Sequence, residues 1–176
     1  PDSIEQFRTT AVRMLEKYTA GDRLTRSKPE SPPMLMVLDS LGMLSSIKEL
    51  EDVASGNEKR DMTKAQLLRG AFRVLALKLA RANVPLLVCN HVYDVVGSYV
   101  PTKEASGGAG PKYASSTICY LTKKKDKDGT DVVGNIIRVT MHKSRFTKEN
   151  KQVEVKLSYD KGLDKYYGLL DLAEKY

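Results

Sequence analysis

Cysteine and histidine are scarce in this 176-residue chain: Cys89, Cys119, His91 and His142 are all it has. The two cysteines are far apart, and with only these two histidines besides no zinc-ligand spacing exists, which argues against a structural zinc module. Both cysteines sit inside apolar runs, an arrangement that predicts buried thiols in a reducing compartment. No apolar stretch approaches the ~20 residues of a membrane span, and no signal-peptide pattern is visible. Internal repeats are absent too. Positive charge, by contrast, is in excess. Lys and Arg number 29 against 22 Asp and Glu, a net charge of +7, with a pI near 9.3. That balance favours a polyanionic partner. With 41% hydrophobic residues, the length suits a single globular domain with a real core.

The most informative segment is residues 34–40, Met-Leu-Met-Val-Leu-Asp-Ser. A continuous apolar run reads as a strand buried on both faces of a parallel sheet. Pro32 and Pro33 bar a helix from entering it. Asp39 then emerges at the carboxyl end of a central strand, where open α/β sheets bind ligands. An acid there can hold Mg²⁺ against nucleotide phosphates, the Walker B arrangement. The plain alternative is an acid that merely ends a strand.

Other elements follow in order. Ile4, Phe7, Ala11, Met14, Leu15 and Tyr18 recur at helical spacing, with Ser3 and Gln6 as a capping box. Residues 63–82 form a long amphipathic helix and 84–90 a second buried strand. Strand, helix, strand is the crossover unit of an α/β sheet. Residues 117–123, 134–142 and 152–159 read as strands joined by short turns, the first turn containing Asp128 and Gly129. The last strand alternates Val153, Val155, Leu157 and Tyr159 with polar residues, leaving one face wet. A short helix at 169–175 closes the chain. The predicted fold class is therefore α/β, a mainly parallel sheet with an antiparallel C-terminal hairpin extension.

Two long stretches, 45–60 and 92–115, read as irregular loops leaving the same sheet edge. The second contains Gly97, Gly107, Gly108 and Gly110, whose backbone amides can approach an anion closely. Mobile surface loops are the simpler account of either alone. Two on one edge of a basic protein point to a nucleic-acid surface.

The ordered set of segments resembles the RecA family of DNA strand-exchange ATPases, and within it the UvsX-type recombinases of large tailed phages. The matching pieces begin with Val37-Leu38-Asp39-Ser40-Leu41-Gly42, Asp61-Met62-Thr63-Lys64-Ala65 and Cys89-Asn90-His91-Val92-Tyr93. They continue with Gly107-Gly108-Ala109-Gly110-Pro111-Lys112-Tyr113, His142-Lys143-Ser144-Arg145 and Tyr167-Gly168-Leu169-Leu170-Asp171. The likeness runs in order over almost the whole chain. It implies a RecA-like P-loop NTPase core with ATP and Mg²⁺ as cofactors. Its partners would be single-stranded and double-stranded DNA, and copies of itself in a helical filament. A cytoplasmic location, in a phage-infected bacterial host, goes with it, and no membrane.

One departure is large. The phosphate loop G-x-x-x-x-G-K-[ST] is absent, and Gly107 to Lys112 does not replace it, since Tyr113 follows the lysine and the spacing is wrong. The family's catalytic glutamate is not visible either. Residues 1–176 are accordingly expected to be a partial ATPase core, inactive alone, with an interior strand slot left to be covered.

Residue roles carry over as the resemblance implies. Asp39 is the Walker B acid and metal ligand, with Ser40 beside it. His91 occupies the position of a polar γ-phosphate sensor; a satisfied, partly buried histidine is the alternative. Lys143 and Arg145 would share a face if their strand continues, and in the family they reach a neighbour's ATP. Tyr167, with Gly168, matches a residue lying against the nucleotide base. Arg69 and Arg73, four apart, share one helical face; with Arg60, Gly107 and Gly108 they form the expected DNA-binding set. A solvated face is the alternative for the arginines. Lys123, Lys124, Lys125 and Lys127, assigned to a turn region, suggest solubility or weak DNA contact. Two other functions share many of these features: a RecA-fold hexameric helicase or motor ATPase, and a non-catalytic DNA-binding recombinase paralogue.

Overall fold

The computed structural model describes residues 1–24, 32–57, 62–94, 97, 99 and 103–175. They divide into two compact units, residues 1–114 and 115–176.

The first unit is built on two helices. α1 (Ile4–Leu24) presents Ile4, Phe7, Ala11 and Leu15 along one face. α3 (Lys64–Ala82) answers with Leu68, Ala71, Phe72 and Leu75, all buried. The Phe7 and Phe72 rings meet at 6.5 Å, and Lys78 bridges to Glu16 at 2.6 Å. Each fully buried leucine here contributes about 1.5–3 kcal/mol relative to exposure. α1 starts as expected, with Ser3 Oγ accepting from Gln6 N at 3.1 Å. The return bond differs: the Gln6 side chain accepts from Asp2 N, one residue before the cap. Met14, expected on the inner face, is exposed.

β1 (Met36–Leu38) and β2 (Leu86–Val88) pair in parallel, as the crossover pattern requires. This is the only parallel pairing between strands among the described residues, so the expected mainly parallel sheet is not what forms. Leu38 enters the core, but Val37 is 59% exposed and Leu87 56%. Within the first unit the strands are covered on one face only. An apolar run reports that both faces tolerate burial, not that both are buried.

Both long loops contain regular structure. α2 (Ile47–Ala54) opens on a complete capping box between Ser46 and Glu49. In the second stretch, β3 (Val92–Asp94) and β4 (Lys103–Ala105) form an antiparallel pair, followed by α4 (Ala109–Ala114).

The second unit is a four-stranded antiparallel sheet in the order β5 (Thr117–Asp128), β6 (Asp131–Ser144), β7 (Gln152–Ser158) and β8 (Gly162–Leu163). α5 (Leu169–Lys175) has the expected bounds. β5 runs to Asp128, so the lysines at 123, 124, 125 and 127 lie on the strand and not in its turn, which is made by Gly129 and Thr130. The alternation in β7 does not bury its apolar side: Val153 is 61% exposed. Cys89 and Cys119 are exposed free thiols, contrary to the expectation of burial. Cys89 lies just past β2, and Cys119 near the start of β5.

Candidate nucleotide and nucleic-acid site

The carboxyl edge of the β1–β2 pair is stitched by main-chain bonds. Cys89 N donates to Leu38 O and Leu41 N donates to Cys89 O, each at 2.9 Å. Leu41 is 1% exposed and pins the short helical turn Leu41–Met43 into the core. The two residues between, Asp39 and Ser40, are thereby held at the strand exit, with the Asp39 carboxylate exposed and the peptide joining them cis.

His91 lies on the same edge and is exposed. Its N–H donates to Asn90 Oδ1 at 2.9 Å, while Asn90 Nδ2 donates to Ser106 O at 2.7 Å. Ser106 N in turn donates to His91 O at 3.0 Å. The His91 ring stands against Gly42: an ideal Cβ built there would be 3.2 Å from His91 Cδ2. The exposed imidazole beside Gly42 departs from the partly buried histidine of the alternative reading.

The glycine turn after β4 seats on the start of α3. Gly107 and Gly108 have φ of +91° and +70°, a region open to glycine at little steric penalty. A Cβ on Gly107 would lie 3.0 Å from Leu68 Cδ1, and one on Gly108 would lie 3.4 Å from Ala65 Cβ. Gly110 is tighter still: its Cβ would sit 2.6 Å from Arg69 Cα. Three of the expected DNA residues, Arg69, Gly107 and Gly108, are thus brought together. Arg73 follows one turn along α3, exposed like Arg69. Arg60 lies outside the described residues. Behind α3, Lys64 pairs with Glu49 at 3.1 Å, tying α2 to this helix. Burial pushes the Glu49 carboxyl up. The Lys64 hydrogen bond and charge, with bonds from Ser46 N–H and the Ser45 side chain, outweigh it and hold the pKa below the ordinary 4.5.

The remaining candidates belong to the second unit. Lys143 is half-buried on β6, its ammonium donating to Ser115 O at 2.8 Å. β6 stops at Ser144, so strand continuation does not give Arg145 a shared face with Lys143; Arg145 adds one bond, from its N–H to Ser116 O at 3.0 Å. It lines an open recess of about 710 Å³ with Phe146, Thr147, Lys148 and Lys151, a strongly basic surface. Tyr167 is half-buried beside Gly168, whose φ is +80°. The nearby Lys156 ammonium is raised above its ordinary pKa by the Asp126 hydrogen bond first and the Asp126 charge second, with Tyr167 a smaller influence.

Among the described residues no group of three or more His, Cys, Asp or Glu could enclose a metal. The single exposed Asp39 carboxylate nonetheless fits Mg²⁺, which keeps several waters and binds through one or two carboxylates plus substrate phosphates. No described helix is long and apolar enough to cross a membrane. Sequence reasoning missed the capped helix α2, the Asn90 clamp and the Gly110 contact. Ser46-x-x-Glu49 followed by Ile47, Leu50 and Val53 at three-residue spacing was the available sign of α2.

Residues 22–164 match the family model of the RecA N-terminal domain. The chain is 32% identical over 171 residues to the "Recombination and repair protein" of Enterobacteria phage T4, covering 97% of this chain and 41% of that protein. It is 29% identical over 144 residues to "Protein RecA" of Francisella philomiragia, covering 81% of this chain and 39% of the relative. "Protein RecA" of Francisella tularensis subsp. novicida is likewise 29% identical over 144 residues. The chain spans about two fifths of the length of these curated relatives.

Proposed function

The chain belongs to the RecA family of recombination and repair proteins, and from that premise we propose that it is part of the P-loop NTPase core of an ATP-dependent homologous recombinase. In the whole protein this core assembles as a helical filament on single-stranded DNA and exchanges strands with a duplex. The observation that carries the reading is the seating of the Gly107–Gly108 turn on α3 beside Arg69, in the same unit as Asp39 and His91. Backbone amides at glycine and arginines on one helical face contact phosphate and ignore base identity, which suits a protein that must accept any sequence.

ATP with Mg²⁺ supplies phosphoryl-transfer chemistry when bound between subunits. Asp39, with Ser40 beside it, would hold the metal, and His91 would meet the γ-phosphate. Lys143 and Arg145 would neutralise developing charge on a neighbour's nucleotide. Tyr167 and Gly168 would lie against the base. Both compact units serve this one partial core, working in the cytoplasm of a phage-infected bacterium.

Electron microscopy of the whole protein on single-stranded DNA with ATP tests the proposal, together with strand-exchange gels. Helical filaments and joint-molecule products support it. Closed rings with unwinding activity would indicate a motor ATPase, and DNA binding with no ATP turnover a non-catalytic paralogue.

A further inference from the structure

The pairing of β5 with β6 contains an irregularity where Lys143 begins. Tyr120 pairs with Thr140 and Cys119 with Met141, but Ile118 pairs with Lys143. His142 is therefore an extra residue, a bulge in β6. Bulges re-aim side chains, and the register shows how. Thr140 and Met141 point to opposite faces, and unbroken alternation would return Lys143 to the face of Met141. Opposite Ile118, Lys143 instead shares the face of Ile118, Tyr120 and Thr140. The extra residue is filled: the His142 ring lies on Tyr120 with centroids 4.3 Å apart and planes 9° from parallel. Both rings are half-buried. Near-parallel rings this close are in face contact, and aromatic pairs contribute beyond the area they bury.

We infer that the Tyr120–His142 stack is the device that positions Lys143, by holding the bulge that turns its ammonium onto the face carrying Tyr120. Lys143 Nζ then donates to Ser115 O, and Arg145 N closes the ladder on Ser116 O. Two consecutive anchors just before β5 fix the end of β6 once the bulge has set its register. His142 and Tyr120 are positioning residues: they act through Lys143 and touch no phosphate. The inference rests on the proposed role of Lys143 toward ATP.

The test is single-stranded-DNA-stimulated ATP hydrolysis by the whole protein, in a cycle of variants. His142→Ala and Tyr120→Ala should each lower kcat about tenfold with KM for ATP held within about twofold, since the cation acts on transition-state charge. His142→Phe and Tyr120→Phe, which keep a ring in each place, should recover most of the rate. In a Lys143→Ala background, His142→Ala should cause no further loss. Should alanine unfold the hairpin by circular dichroism, His142→Leu, which keeps bulk without a ring, takes its place. An equal fold-loss in both backgrounds, or a His142→Phe as slow as His142→Ala, overturns the inference alone. A Lys143→Ala protein with full turnover removes both the reading of Lys143 and this inference.

Discussion

Substituting Gly110 by alanine should destabilise the first unit, although alanine is the better helix former. The Cβ would sit 2.6 Å from Arg69 Cα and 3.0 Å from both Arg69 N and Cβ. Carbon atoms rest at about 3.5–4.0 Å, so α4 must retreat from α3 by roughly the difference, and backbone cannot rotate out of the way. Overpacking of this kind costs about 1–3 kcal/mol. Against it stands a gain of about 0.5–1 kcal/mol from replacing glycine inside a helix. The clash wins, leaving a net loss of roughly 1–2 kcal/mol. Gly70, the residue after Arg69, supplies the control, since nothing lies within 4 Å of its Cβ position. Gly70→Ala should therefore stabilise by about 0.5–1 kcal/mol. Urea unfolding followed by circular dichroism reads both, and the two midpoints should move in opposite directions. A displaced α4 also carries the Gly107–Gly108 turn off Leu68 and Ala65 at the start of α3, so Gly110→Ala should weaken single-stranded DNA binding while Gly70→Ala leaves it unchanged. A Gly110→Ala chain as stable as the parent, or a Gly70→Ala chain destabilised alongside it, would refute the packing argument.

Ser46→Ala should cost about 1 kcal/mol by opening the α2 capping box. The Glu49 side of that box depends on pH in a definite sense: its folded pKa is depressed, so its contribution is complete above the ordinary 4.5 and fades as pH falls through the lower folded value. A Glu49→Gln chain, which cannot ionise, should be less stable than the parent above that range, and the deficit should shrink as pH falls through it in parallel melts. The 176-residue chain alone should release no phosphate from ATP with saturating single-stranded DNA; turnover abolished by Asp39→Asn would show that the phosphate-gripping groups are present after all. In the whole protein, Lys143→Ala or Arg145→Ala should lower DNA-stimulated hydrolysis to a small but measurable residual rate, yet regain part of it when mixed with Asp39→Asn subunits. Absence of rescue in confirmed mixed assemblies would count against action across an interface.

Elements that carry two agreeing signals are legible in the sequence. The α3 helix has both an apolar stripe and flanking breakers, and α5 a compact apolar cluster after Gly168. α2 escapes notice because half of its eight residues are charged, and its stripe of Ile47, Leu50 and Val53 stays exposed, so burial never disciplines the pattern. β3 and β4 are three residues each, too short for periodicity to speak. The exposure of Val37, Cys89 and Val153 depends on which layer covers a sheet, a property no local pattern encodes. In the site, Asp39 is legible from its place after an apolar run. The gathering of Arg69 with Gly107 and Gly108 is legible only through family resemblance, because the residues are nearly forty positions apart. The Gly110 contact is not legible at all, since the need for a missing Cβ arises from a neighbour remote in sequence. The same holds for the His142 bulge, which shifts a register that alternation takes to be unbroken.

Whether α3 and the glycine turn hold nucleic-acid backbone is the central question, and fluorescence anisotropy with labelled poly-dT across a salt series measures it most directly. Log affinity should fall linearly with log salt at about −0.7 per single-strand phosphate neutralised. Arg73→Ala should make the slope shallower by about that amount and weaken poly-dT and mixed sequences alike. Affinity and slope unchanged in the Arg69→Ala, Arg73→Ala double variant would contradict this role and leave those arginines as ordinary surface charge.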